Sequence, residues 1–191
     1  MTTLIAGLIL FLGVHSVRLG GDDLRNRLQA SLGPGAYKGL YSLISLVGLG
    51  LIIWGYGQAR LEPLVLWPAM GWTRHLAALL MLFSFVMLTA AYVPANGIKA
   101  RLHHPMILGV KVWALAHLLA NNTLADLLLF GGFLVWAVLD FRSARRRDRV
   151  AHTLYPAGSL ARTVITVVVG LVAYLVFALW LHVILIGVQP V

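Results

Sequence analysis

From Thr163 to Gly187 the chain reads TVITVVVGLVAYLVFALWLHVILIG, with no Asp, Glu, Lys or Arg in it. A spanning α-helix needs about 20 mostly apolar residues in a row, since the hydrocarbon core of a bilayer is about 30 Å thick. This stretch meets that requirement. Its backbone has to be helical in lipid, because N–H and C=O groups left unpaired there find no water to bond.

Five further stretches come close to the same length and apolarity: Thr2 to Val17, Tyr37 to Gly57, Trp72 to Val93, Met106 to Ala120 and Thr123 to Phe141. The expected fold is therefore all-α, an integral membrane bundle of about six transmembrane helices in a single domain spanning 1–191. Composition agrees. The chain is 60% hydrophobic and 11% charged, whereas a soluble domain carries about 25% charged residues. Too few polar side chains remain to cover a surface in water. The first apolar run has no basic residue in its leader Met1-Thr2-Thr3, and Arg18, Arg25 and Arg27 follow it. It is read as a retained helix, not a cleaved signal.

The connections carry the turn signals. Gly20-Gly21-Asp22-Asp23 closes the first helix, Gly33-Pro34-Gly35 precedes the second, and Pro94-Ala95-Asn96-Gly97 follows the third. Asn121-Asn122 reads as a tight turn joining an antiparallel hairpin of the fourth and fifth helices. Between Leu24 and Leu32, leucines recur at 24, 28 and 32 with Arg25, Asn26 and Arg27 among them. That pattern suits a short helix lying on the membrane surface.

The formal charge of +9 would suggest nucleic acid in a soluble protein, but here it is confined to the connections. If the N-terminus lies outside, the cytoplasmic connections hold Arg18, Arg25, Arg27, Lys38, Lys99, Arg101, Arg142, Arg145, Arg146, Arg147, Arg149 and Arg162. Only Arg60 and Arg74 fall outside, and Lys111 snorkels from the fourth helix. This asymmetry follows the positive-inside rule and gives an N-out/C-out topology with an even number of spans. The lipid bilayer is then the partner of most of the surface, and no nucleic-acid role is expected. The Arg142 to Arg149 run reads as a stop-transfer cluster, with anionic lipid or an acidic partner as its sharper alternative.

The chain has no cysteine, which excludes disulfides, thiolate chemistry, Cys-ligated zinc and iron–sulfur clusters. No phosphate-binding, dinucleotide-binding, zinc-protease or serine-hydrolase motif occurs. What remains are histidines and acids in apolar surroundings, where an ionisable group is a functional candidate. His15 lies near the end of the first helix, and His117 lies within the fourth with Trp113 one turn before it. Two imidazoles on facing helices can hold a haem iron. Each can equally be a structural hydrogen-bonding residue. His104, just before Pro105, is either an alternative ligand opposite His15 or an interfacial cap. His75 and His182 read as interfacial, and His152 as solvated. Asp140 is either the orienting partner of a histidine or an ion-pair partner of a neighbouring cation, and Asp126 is a helix-start residue. Most of the aromatic residues fall near helix ends and read as interfacial anchors, while Trp113 and Trp136 lie deeper.

Particular stretches carry a resemblance. They are Gly13-Val14-His15-Ser16, then Gly35 to Leu43, Ala91-Tyr92-Val93-Pro94, Ile98 to Pro105, Lys111 to Asn121, and Trp136 to Asp140. In these the chain resembles NnrU, a bacterial membrane family associated with nitrite and nitric oxide reduction, over roughly Leu4 to Arg147, with an extra C-terminal helix at 163–187. That family is similar to the plant zeta-carotene isomerase, which holds haem b. The resemblance implies a bacterial cytoplasmic membrane location, haem b as cofactor, His15 and His117 as axial ligands to its iron, and Trp113 beside it. His104 matches a histidine of the relative's Arg-His-Pro motif. The relative has a cysteine where this chain has Ala114, so any behaviour that needs a thiolate does not carry over.

Three functions follow as expectations. The first is a haem-binding membrane protein serving nitrite or nitric oxide reduction beside respiratory partner proteins. The second is a haem-dependent isomerase of a carotenoid or other polyene lipid. The third is a cofactor-free structural or transport protein. Whether the chain is an enzyme stays open among them.

Overall fold

The computed structural model describes residues 1–190. Its helices are α1 (Thr2–His15), α2 (Asp23–Leu32), α3 (Pro34–Ala59), α4 (Gly71–Tyr92), α5 (Gly97–Leu102), α6 (Pro105–Ala120), α7 (Leu124–Val150), α8 (Leu160–Val176) and α9 (His182–Ile186). A π-helical turn, Phe177–Leu181, joins α8 to α9. No β-strand is present among the described residues. The expected all-α membrane architecture is what the chain adopts.

Helix boundaries follow local chemistry. Gly33, at φ 79°, ends α2, and Pro34 opens α3. A residue at that φ favours glycine, and proline is tolerated in the first turn, where its missing N–H is no loss. Pro105 opens α6 in the same way. Thr123 and Asp126 form a reciprocal capping box at the start of α7, and the Ser159 side chain caps α8.

Four helices are long and apolar enough to cross a membrane: Pro34–Ala59, Gly71–Tyr92, Leu124–Val150 and Leu160–Ile186, the last including the π turn. The two other expected spans are shorter. α1 has 14 residues and α6 has 16, giving rises of about 21 and 24 Å at 1.5 Å per residue. α7 runs beyond Phe141, where the apolar stretch ends, and carries the arginine run on its last turns. Large apolar side chains stand exposed along the spans, among them Leu46, Ile53 and Ile184. In water such a surface would associate, so lipid covers it.

The chain divides into two compact units. The first comprises residues 1–67 and 122–151, with α1, α2, α3 and α7. α1 and α3 run antiparallel in close contact through glycine. A Cβ built on Gly7 would lie 2.6 Å from the Ile52 nitrogen, and one on Gly48 would lie 2.8 Å from the Phe11 nitrogen. Small residues let backbones approach this closely, which is how helices attract one another in lipid. Ser143 Oγ donates to the carbonyls of Arg18 (3.1 Å) and Leu19 (2.9 Å), and Arg147 Nη1 donates to Arg18 O at 3.0 Å. These donors from α7 bond carbonyls just past the end of α1, adding to the local bond that Arg18 O accepts from Gly21 N. At the other end of α3, Leu66 N donates to Asn122 O, Leu124 N to Leu64 O, and Asn122 Nδ2 to Trp67 O.

The second unit comprises residues 68–121 and 152–191, with α4, α5, α6, α8 and α9. Ser84 Oγ donates to Gly109 O at 2.8 Å, a buried bond between α4 and α6. Gly170 of α8 meets Val86 of α4. Fully buried Asn96 donates to the carbonyls of Ala90 and Val93 and accepts from Lys99 N. Beside it, Gly97 N donates to Thr163 Oγ1 and Ser159 N to Ala95 O. The Asn121-Asn122 turn falls at the division, with α6 in one unit and α7 in the other.

The connections are thus bonded in sets: 18–19 to 143–147 and 64–67 to 122–124 in the first unit, and 95–97 to 159–163 in the second.

Candidate functional site

His15 is the last residue of α1. Its Nδ1 lies 2.6 Å from the carbonyl of Phe11, one turn earlier. A carbonyl only accepts, so Nδ1 carries the donated proton. The ring stacks on Phe11 at 4.3 Å and meets Tyr41 of α3 (5.3 Å) and Trp136 of α7 (6.1 Å) edge-on. The Trp136 Nε1 donor is buried and has no hydrogen-bond partner among the described residues. Buried indole N–H groups normally find one.

His117 repeats this arrangement in the second unit. Its Nδ1 lies 2.8 Å from the Trp113 carbonyl, and the Trp113 ring lies 5.2 Å away. Here too Nδ1 carries the donated proton. Asn121 adds a bond to the His117 carbonyl. Ala114 on the same helix is fully buried.

The remaining histidines are placed differently. His104 precedes Pro105 with non-helical dihedrals, as Pro requires of its predecessor, but its side chain makes no cap bond. Its ring faces Tyr155 edge-on at 6.2 Å, while His103, at φ 66°, stacks flat on Tyr155 at 4.1 Å. Nδ1 of His182 bonds the Val188 carbonyl. His75 lines a cavity of about 450 Å³ with Arg74 at the start of α4. Asp126 is the helix-start residue expected, and Tyr56 of α3 also donates to it.

A cavity of about 360 Å³ adjoins His15 within the first unit. Tyr37 and Tyr41 line it together with Arg18, Arg25 and Lys38. Arg18 is paired with Asp22 at 2.6 Å. That hydrogen bond holds the Asp22 carboxyl below the usual carboxylate range, with the charges of Arg18, Arg147 and Arg25 adding to it. Sequence reasoning had assigned the three cations to topology alone. Composition does not distinguish a charge that orients a helix from one that lines a cavity.

The family model for NnrU protein matches residues 3–190. The chain belongs to the NnrU family. The match takes in α8 and α9, which the motif resemblance ending at Arg147 had left outside. Neither the curated proteins nor the solved structures compared with this NnrU chain include a match.

A haem requires axial nitrogens with a lone pair, apolar or aromatic surroundings, and polar groups for its own polar substituents. His15 and His117 meet the first condition. Phe11, Tyr41, Trp136 and Trp113 meet the second, and the unpartnered Trp136 N–H suits the third. No group of three or more His, Asp or Glu side chains able to hold a bare metal ion occurs among the described residues.

Proposed function

We propose that this NnrU-family protein is a haem-binding protein of the bacterial cytoplasmic membrane, with six spans and both termini outside, that serves nitrite and nitric oxide reduction. The proposed axial ligands to haem b are His15 and His117. The observation that carries the reading is the shared state of the two imidazoles, each with Nδ1 tied to the carbonyl one turn earlier. Fixing the proton on Nδ1 keeps Nε2 basic and the ring oriented, which is how a protein prepares a histidine for a metal. Phe11 and Tyr41 restrict the ring of His15, and Trp113 that of His117. With no cysteine in the chain, a thiolate axial ligand is excluded. When bound, the haem supplies one-electron redox chemistry and an iron that takes gas ligands. The respiratory assignment rests on the family resemblance.

The test is the reduced-minus-oxidised visible spectrum of protein purified in detergent from haem-supplied cells. Sharp low-spin b-type bands are expected, lost in His15→Ala and His117→Ala and kept in His104→Ala. A colourless wild-type protein would overturn the ligand assignment and leave a cofactor-free membrane protein. A spectrum kept with carotenoid co-purifying would favour the isomerase reading instead.

A further inference from the structure

The cavity beside His15 is bounded by the end of α1, by α2 and by the start of α3. Three of its lining residues are cationic and none is acidic. Asp22 cancels Arg18 by their direct ion pair. Arg25 and Lys38 form no direct ion pair among the described residues, and Arg25 acts on Asp22 only at longer range. Gln29, Ser42 and Tyr37 add neutral hydrogen-bonding groups to the same lining. The volume of about 360 Å³ falls in the range of small-molecule sites, about 300–1,000 Å³.

The surroundings restrict what enters. α2 buries none of its residues, and Leu24 and Leu32 on it stand exposed. A short amphipathic helix of this kind lies at the headgroup level of a bilayer. Leu40 and Leu43, on the first turns of the spanning helix α3, are exposed as well. The cavity therefore has cations and hydroxyls at its walls and lipid-facing leucines beside it. Arginine and lysine at this depth recognise phosphate by charge-assisted hydrogen bonds.

We propose that this cavity is a binding site for the phosphate-bearing headgroup of an anionic phospholipid, held by Arg25 and Lys38 with Arg18 behind them. The acyl chains leave along Leu40 and Leu43. A free phosphate ion shares the chemistry of the headgroup but would gain nothing from the leucines. The haem reading is tested by the visible spectrum of the His15 and His117 variants and the lipid site by lipid retention in the Arg25 and Lys38 variants, so the two readouts fail separately.

The experiment is native mass spectrometry of the detergent-purified protein with phosphatidylglycerol or phosphatidylcholine added. Wild type is expected to retain phosphatidylglycerol in preference. Arg25→Gln/Lys38→Gln should lower that retention at least tenfold, and Lys38→Gln alone by an intermediate factor. Arg146→Gln/Arg149→Gln removes the same charge from the exposed end of α7 and should leave retention unchanged. Circular dichroism checks that the variants fold, as expected for side chains with no ion pair to lose. Equal losses in the two double variants would show a general basic surface and overturn the site. So would equal retention of the two lipids. Displacement of the lipid by inorganic phosphate at the same concentration would assign the site to the free ion and overturn the lipid.

Discussion

Asp126 accepts bonds from Tyr56 Oη at 2.6 Å on one oxygen, and from Thr123 N (3.0 Å) and Thr123 Oγ1 (2.6 Å) on the other. It is 5% exposed, so an unmet donor there would not be repaired by solvent. Asp126→Asn puts an NH2 among donors and should destabilise the protein by about 1–3 kcal/mol, the usual cost of leaving buried groups unsatisfied. Tyr56→Phe removes one donor cleanly and should cost less. Thermal unfolding in one detergent measures both, and an Asp126→Asn variant as stable as wild type would contradict the account. The aspartate's place at a helix start is legible from the run Asn121-Asn122-Thr123 before it. Its tyrosine is not, because nothing in the sequence says which residue 70 positions away will share its depth. The same holds for the site. His15 and His117 are legible as ionisable groups in apolar stretches, and Phe11 is legible one turn before His15, whereas Tyr41 and Trp136 come to His15 from α3 and α7 and appear only on folding.

At the scale of helices, the contact of α1 with α3 turns on positions where no side chain fits. Gly48→Leu would drive Cβ into the Phe11 backbone, while Gly50→Leu, two residues on, meets nothing within 4 Å. Overpacking of this kind costs about 1–3 kcal/mol, so Gly48→Leu should lower the melting temperature and Gly50→Leu should not. Equal effects would mean that helix propensity and not the seam decides. Glycines in α3 were legible as permitting close contact, but which of them face α1 was not. Helix ends were less legible than helix centres. Hydropathy reports where lipid stops, and α7 continues past that point because Ala144, Arg145, Arg146 and Arg147 are good helix formers. The π turn at Phe177–Leu181 has no Gly or Pro within it, so nothing in the composition announces it.

For the molecule as a whole, the missing cysteines make topology directly measurable. Glu62→Cys lies in the connection bonded to Asn122, and Ala151→Cys lies just past α7. A membrane-impermeant maleimide should label Glu62→Cys in intact spheroplasts and Ala151→Cys only after lysis. The reverse pattern would invert the orientation and set aside the charge rule for this chain. The two units are interleaved along the chain, each built from two separate segments. The carbonyl of Arg18 is made early, yet its donors Ser143 and Arg147 follow 125 and 129 residues later. At a synthesis rate of about 5–20 residues per second, the α7 donors follow roughly 6–25 s after the carbonyl they bond, which until then has only the local bond from Gly21 N. During that interval 68–121 of the other unit are also being delivered. The first helix is therefore inserted, with its end held only by its own local bonds, long before the contacts that join it to α7 can form.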